Sequence, residues 1–414
     1  MTDVSQNSGR GRWMITTHYE PAEDSHLLQK FVKKYAKGSV LDMGTGSGIQ
    51  AVTAADKKTV DSVLAVDFNR QALKYVSDKV KKDKQKKIKI LESDLFENIS
   101  HNKKFDVIIF NPPYLPEEKL EPEGPLKLAT TGGKKGYETI AKFFEDCVSH
   151  LEPKGVILMV FSSITNKEKV EEIIGSKLLE FEILGTTKVP FEILYAYKIY
   201  RSEELIGLEK QGLTDIKSLA KGHRGFVYSA KLKNKDVAVK IENSPKFNFR
   251  IKNEVDWLKK LNKKNIGPNL VMDGPNYFIM DLIKGKRIVD FIDSLDPNQL
   301  NTRNLIKTVL CECLRQCREM DLMKVDKDEM HHPYKHIIVD DEFKVFFIDF
   351  ERCKFTEDPK NVTQFCQFIS STNMFVALRE KGLMVFPEKI RKFAQFYKIN
   401  PSEKNLEKIM KEIR

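Results

Sequence analysis

A chain of 414 residues is too long for one typical domain, and its length alone predicts two or three. Hydrophobic residues make up 41% and charged residues 31%, so each domain can bury a core while keeping a soluble surface. The net charge of +11 favours anionic partners such as RNA, a ribosome or an acidic protein, or equally a solvated lysine-rich surface, since the lysines are spread along the chain.

Residues 1–12 are polar, with no apolar signal-peptide core, and no later window approaches the about 18 consecutive apolar residues of a membrane span. A cytoplasmic protein with no membrane association is therefore expected. Apolar runs then appear at 40–43, 63–66, 88–91, 107–110 and 156–161, separated by amphipathic segments such as 70–82 and 137–150. This alternation predicts a parallel sheet with helices on both faces. Runs at 181–189 and 193–200 flank Pro190 and predict a closing antiparallel hairpin. Charged residues over 201–215 mark a boundary, which places the two domains at 1–202 and 203–414. Beyond it, strand-like runs at 226–241 and 277–282 give way to mostly helix, ending in two charged amphipathic helices over 387–414. Within a helical stretch at 305–320 lie Cys311, Cys313 and Cys317, with His331 and His332 downstream. Their spacing matches no zinc pattern, so thiols of an ordinary helix are expected, in a reducing compartment.

The first chemical signal is Leu41-Asp42-Met43-Gly44-Thr45-Gly46-Ser47-Gly48, between a predicted strand and helix. The glycines Gly44, Gly46 and Gly48 let the backbone turn tightly against a ligand. Asp67 ends the second predicted strand, where a carboxylate can take both hydroxyls of an adenosine ribose. Asp94 follows the third, within reach of an adenine amino group. A pyrophosphate would be repelled by Asp42, whereas the cationic methionyl end of S-adenosylmethionine would be attracted.

Directly after the fourth predicted strand comes Phe110-Asn111-Pro112-Pro113-Tyr114. An amide nitrogen is a poor nucleophile because its lone pair is delocalised into the carbonyl. A site that accepts both of its N–H groups orients it and stabilises the charge that develops on methyl transfer. The Asn111 side-chain oxygen and the Pro112 carbonyl supply two acceptors on a backbone stiffened by consecutive prolines. Tyr114 offers an aromatic face to a planar group.

The first ~200 residues resemble the HemK family of protein-glutamine methyltransferases, in the eukaryotic and archaeal branch that modifies class-1 release factors. The resemblance rests on Tyr19-Glu20-Pro21-Ala22-Glu23-Asp24-Ser25, similar to the branch's Tyr-Glu-Pro-Ala-Glu-Asp-Thr, and on Asp42, Gly44, Asp67, Asp94 and Asn111. Gly132-Gly133 with Gly136 also resembles the segment after the family's motif. It implies a Rossmann-like class I methyltransferase with a seven-stranded doubly wound sheet, a cofactor-facing hydroxyl at Ser25, and N5-methylation of the Gly-Gly-Gln glutamine of a release factor. It further implies a small zinc-binding activator subunit on the β-edge. Adenine-N6 or lysine methylation would use the same Asn-Pro-Pro-Tyr chemistry and is the alternative.

In the second half, Gly222-His223-Arg224-Gly225-Phe226-Val227-Tyr228 and Val237-Ala238-Val239-Lys240 resemble a kinase glycine-rich loop and its lysine. Glu254 would pair with Lys240, and Phe347-Ile348-Asp349-Phe350-Glu351 resembles the metal-binding Asp-Phe-Gly, with Glu for Gly. The catalytic loop departs most from the kinase pattern: Glu329 superposes on the catalytic acid and His336 on the asparagine, as in a divergent group of small archaeal RIO-like kinases. The resemblance implies an α+β kinase-like domain binding ATP with Mg2+ through Asp349 and His336, either as an active atypical kinase or as a pseudokinase scaffold.

Overall fold

The computed structural model describes residues 21–117, 130–221, 225–242 and 248–413. Tyr19 and Glu20 of the first signature, and Gly222, His223 and Arg224 of the later glycine-rich stretch, lie outside the described residues. The chain divides into two compact units, Met1–Gly212 and Leu213–Arg414.

The first unit is built on β1 (Gly38–Met43), β2 (Val60–Asp67), β3 (Ile88–Glu92), β4 (Phe105–Phe110), β5 (Leu151–Ser162), β6 (Leu179–Val189) and β7 (Glu192–Arg201). These form one seven-stranded sheet in the order β3-β2-β1-β4-β5-β7-β6. Strands β1 to β5 pair in parallel, while β7 runs antiparallel to both β5 and β6. Val40, Leu41, Val107, Ile108, Ile157 and Leu158 are buried, as continuous apolar runs covered on both faces require. Helices α1 (Glu23–Tyr35), α2 (Ile49–Ala55), α3 (Arg70–Lys82), α4 (Glu138–Asp146) and α5 (Lys167–Ser176) complete a Rossmann-like doubly wound fold. Helix α1 carries Glu23 and Asp24 in its first turn and Lys33 and Lys34 in its last, matching the helix dipole, and buries Leu27, Leu28 and Val32.

The charged stretch after β7 is not a linker. It forms α6 (Glu203–Lys210), whose Leu205 and Leu208 are buried. Buried Arg201 donates from Nη2 to the carbonyls of Val148 and Leu151, both at 2.8 Å, and pairs with Glu209 through Nη1. Those anchors carry the first unit on to Gly212, past the 202/203 boundary expected from composition.

The second unit opens with β8 (Leu213–Lys221), β9 (Gly225–Leu232), β10 (Lys235–Glu242), β11 (Leu270–Asp273) and β12 (Tyr277–Asp281), an antiparallel sheet ordered β11-β12-β10-β9-β8. Helix α7 (Asn248–Leu261) lies between β10 and β11 in sequence. Small antiparallel sheets and helices follow, among them Thr302–Leu322 and the last two, Pro387–Ile399 and Glu403–Lys411. Cys311, Cys313 and Cys317 are buried on the long helix, and burial pushes their thiols up. Among the described residues, the metal-competent triple is Glu254, Asp349 and Glu351, which includes no cysteine. No helix among the described residues is long and apolar enough to cross a membrane.

Candidate active site

Strand β1 sits between β2 and β4, so helices leave the sheet in opposite directions there and a crevice opens at the carboxyl ends of the strands. The glycine turn fills one wall. Gly44, Gly46 and Gly48 all adopt positive φ, between 51° and 74°. A Cβ on Gly44 would meet nothing within 4 Å, whereas one on Gly48 would lie 3.0 Å from a Val76 methyl. Gly44 and Gly46 therefore line the crevice, while Gly48 closes α2 onto α3.

Two carboxylates brace this turn. Asp42 Oδ2 accepts from Thr45 Oγ1 at 2.6 Å and from the Ala51 amide at 3.0 Å, and burial pushes its carboxyl up to about 7. Asp67 accepts from the amides of Gly46 and Asn69, each at 2.9 Å, and burial raises its carboxyl as well. Asp94 is placed differently from the sequence expectation. Its carboxylate, about half exposed, pairs with Lys142 at 2.7 Å and does not line the cavity.

The chemical end of the site is set by Asp24, to which the sequence reading gave no role. Its Oδ2 accepts from Asn111 Nδ2 at 3.0 Å and from the Tyr114 hydroxyl at 3.2 Å, while Oδ1 accepts from the Ser25 amide. An ionised carboxylate accepts only, so the Asn111 amide must turn its NH2 toward Asp24 and its oxygen away. That oxygen, Oδ1, is buried with no hydrogen-bond partner. Such an orphan costs about 1–3 kcal/mol and marks a place where a ligand N–H belongs. Tyr114 is 9% exposed with its hydroxyl on Asp24, so it braces the carboxylate more than it offers an open stacking face.

Glycines hold the motif from behind. A Cβ on Gly132 would lie 2.5 Å from the Pro113 carbonyl, and one on Gly136 would lie 2.5 Å from that of Tyr114. Thr165 Oγ1 donates to the same Tyr114 carbonyl at 2.8 Å, and the amides of Tyr114 and Leu115 both reach Thr130 O. The segment 130–136 thus forms the mould in which Asn111-Pro112-Pro113-Tyr114 sets.

These elements enclose a cavity of about 230 Å³. Ser25, Asp42, Gly44, Gly46, Asp67, Asn111, Pro112 and Tyr114 are all brought to it, joined by Gln50, Phe68, Asn69 and Glu192, which no local pattern had marked. Among the described residues, Asp24, Asp42, Asp67 and Glu192 line it and no Lys, Arg or His does, which suits a cationic ligand and disfavours a phosphate. Gln50 is 4% exposed; its Nε2 donates to the Ser25 carbonyl at 2.8 Å, and its Oε1 is buried without a partner.

A second polar cluster lies in the second unit. Lys240 Nζ on β10 is 2.7 Å from Glu254 of α7, 3.1 Å from Asp349 and 3.7 Å from Glu351. Burial opposes its charge, but the carboxylates of Glu254 and Asp349 outweigh that and hold the ammonium above the usual lysine range. Glu329 is held by Arg352 and by His336, whose Nε2 lies 3.0 Å from Oε2, while His336 Nδ1 stands 4.0 Å from Asp349. Burial, with Lys327 nearby, lowers the His336 imidazole. Glu329 and Asp349 both adopt positive φ, at 67° and 63°, a strained setting for residues with a Cβ. Lys327, 2% exposed and donating to the Asp349 carbonyl, joins Glu329, His336 and Asp349 around a cavity of about 90 Å³. Gly225 begins β9, where a Cβ would press within 2.6 Å of the Ile241 carbonyl.

A doubly wound sheet with a glycine turn, a carboxylate at the end of β2 and an Asn-Pro-Pro-Tyr loop at its switch point defines an S-adenosylmethionine-dependent methyltransferase. The methyltransferase small domain model matches residues 20–194. A Methanocaldococcus jannaschii protein named as an N5-glutamine methyltransferase is 37% identical over 186 residues, spanning 44% of this chain and 91% of that protein. Through its first unit, the chain belongs to the protein-glutamine methyltransferase family. The release factor glutamine methyltransferase of Bacillus subtilis is 36% identical over 132 residues, which span 29% of this chain and less than half, 45%, of that enzyme. The E. cuniculi Mtq2–Trm112 complex, responsible for methylation of the eRF1 translation termination factor, superposes on 45% of this chain and 100% of its own with a TM-score of 0.36 and 24% identity.

Proposed function

We propose that the first unit methylates the side-chain nitrogen of a glutamine, in the Gly-Gly-Gln loop of a peptide-chain release factor. The observation that carries this reading is the buried, unpartnered Asn111 Oδ1, aimed by Asp24 into a cavity lined by carboxylates. That orphan acceptor and the four carboxylates among the described residues around the cavity fit S-adenosylmethionine, which Asp67, Gly44, Gly46 and Asp42 would hold and which supplies an electrophilic methyl on its sulfonium. Asn111 Oδ1 accepts one N–H of the substrate carboxamide, and the Pro112 carbonyl accepts the other. Both bonds strengthen as the nitrogen becomes positive, so they favour the transition state over the bound amide. Asp24 and the glycine mould of 130–136 keep the two oxygens fixed, so no reorganisation is needed as charge develops.

The names of the relatives support a release factor as substrate, and the open edge of β6, with Ile183 44% exposed, supports a small activator subunit pairing there. Incubation of the full chain, with and without a candidate zinc-binding activator, with labelled cofactor and either release factor or RNA tests the assignment. Mass spectrometry is expected to place the methyl on the Gly-Gly-Gln glutamine. Label in RNA alone overturns it. Asn111→Ala is expected to abolish transfer while cofactor binding persists.

For the second unit, the triad of Lys240, Glu254 and Asp349 favours a kinase-like ATP-binding module with Glu329 as its acid. The oxygen donors of Asp349 and Glu351 fit Mg2+, and a His336 imidazole kept neutral by burial is able to join them. ATP turnover by the full chain is expected to fall in Lys240→Ala and Asp349→Ala; equal turnover in all three proteins refutes this site.

A further inference from the structure

The cavity holds a second buried acceptor that methyl transfer itself does not use. Gln50 sits in the first turn of α2, and its Nε2 is committed to the Ser25 carbonyl at 2.8 Å. A carbonyl accepts only, so the amide cannot be turned round and Oε1 must face the other way. Oε1 is buried and has no partner, although the side chain lines the cavity. Leaving it bare costs about 1–3 kcal/mol, which a ligand donor at that point would relieve.

The bonding around Gln50 places this oxygen. On one side, Asp67 accepts from Gly46 and Asn69, and Phe68 lies beside them, marking the ribose end. On the other, Ser25 adjoins Asp24, which orients Asn111 at the reacting end. The next residue along the helix, Ala51, donates to the buried Asp42 carboxylate. An acceptor with no donor of its own, beside a carboxylate and between those two ends, selects a group that is cationic and rich in N–H. An α-ammonium, with three donors and no acceptor, has that character; an α-carboxylate would be repelled.

We infer that Gln50 Oε1 accepts a hydrogen bond from the α-ammonium of the cofactor's aminoacyl chain, making Gln50 a determinant of cofactor selectivity. The inference rests on the cofactor reading and is independent of which amide or amine is methylated.

The test is calorimetric titration of the full chain with S-adenosylhomocysteine, which carries the aminoacyl chain, and with 5′-methylthioadenosine, which lacks it. In Gln50→Leu, S-adenosylhomocysteine is expected to bind about ten- to hundredfold more weakly, in the range of a lost bond to a charged donor. Methylthioadenosine is expected to stay within twofold of wild type, which also shows that the cavity is intact. Equal losses for both ligands in Gln50→Leu, or no loss for either, overturns the inference. If wild type binds neither ligand, the cofactor reading itself fails.

Discussion

Asp24→Asn probes the chemical end of the site with almost no change in shape. The native carboxylate takes the Ser25 amide on one oxygen and Asn111 Nδ2 and the Tyr114 hydroxyl on the other. An amide in its place has one accepting end and one donating end. With its oxygen toward Asn111, its NH2 abuts the buried Ser25 N–H, a donor against a donor. With its oxygen toward Ser25, its NH2 faces Asn111, and the clash is relieved once Asn111 rotates half a turn. The tyrosine adapts by rotating its proton, so the second arrangement leaves no donor facing a donor around residue 24 and wins. Its consequence falls on catalysis, because Asn111 then presents NH2 where Oδ1 had been. Losing one preorganised partner of the developing charge is worth about 2.7–4 kcal/mol, or roughly 10²–10³ in kcat. Initial rates on a Gly-Gly-Gln substrate at saturating cofactor measure the first effect, and calorimetric binding of S-adenosylhomocysteine, expected within threefold of wild type, isolates it from cofactor affinity. A variant whose kcat stays within tenfold of wild type would refute the claim that Asp24 sets the direction of Asn111.

Gly132→Ala would place a Cβ 2.3 Å from the Gly136 carbonyl and 2.5 Å from that of Pro113, both backbone atoms. It is expected to lower stability by about 1–3 kcal/mol in urea titration and to cut kcat by displacing the motif. Asp42 ionises near 7 when folded but at its usual 3.8 when unfolded. The folded state therefore keeps a proton that the unfolded state has lost, and stability falls as pH rises from about 4 to 7, then levels off. Asp42→Asn is expected to remove that slope, so its urea midpoint gains on wild type between pH 4 and pH 8; parallel profiles would contradict the assignment. Lys240→Met leaves Glu254, Asp349 and Glu351 without their cation and is expected to cost about 3–5 kcal/mol, read from denaturant unfolding of the full chain.

Each strand of the first sheet was visible as an apolar run, because parallel strands buried on both faces leave continuous hydrophobic stretches. The ladders extend past those runs: β5 spans Leu151–Ser162, although only 156–161 reads as a core strand, since Glu152-Pro153-Lys154 fall where the register with β4 shifts between the Phe105–Leu151 and Val107–Val156 pairs. The glycine turn, Asp67 and the Asn-Pro-Pro-Tyr loop were equally legible, being contiguous in sequence. Asp24 was not. It stands inside a quoted signature, but its bond to Asn111 joins residues 87 positions apart, and only the packed tertiary structure brings them together. Gln50 looks like an ordinary helix residue until its amide is seen to be fixed by Ser25. The partner of Asp94 was equally hidden, since Lys142 stands 48 positions away. The helix Glu203–Lys210 was hidden because its charges outnumber the two leucines that dock it.

Nothing within the 111–114 loop decides which end of the asparagine amide faces inward; with α1 absent, that side chain is ambidextrous. Its handedness is conferred by a carboxylate on a helix that precedes the whole sheet in sequence. The glycine turn is braced from β2, whereas the direction of Asn111 is set only when α1 docks. Substitutions along α1 that loosen its seat are accordingly expected to silence transfer and, through the Ser25 carbonyl that holds Gln50, to weaken cofactor capture as well.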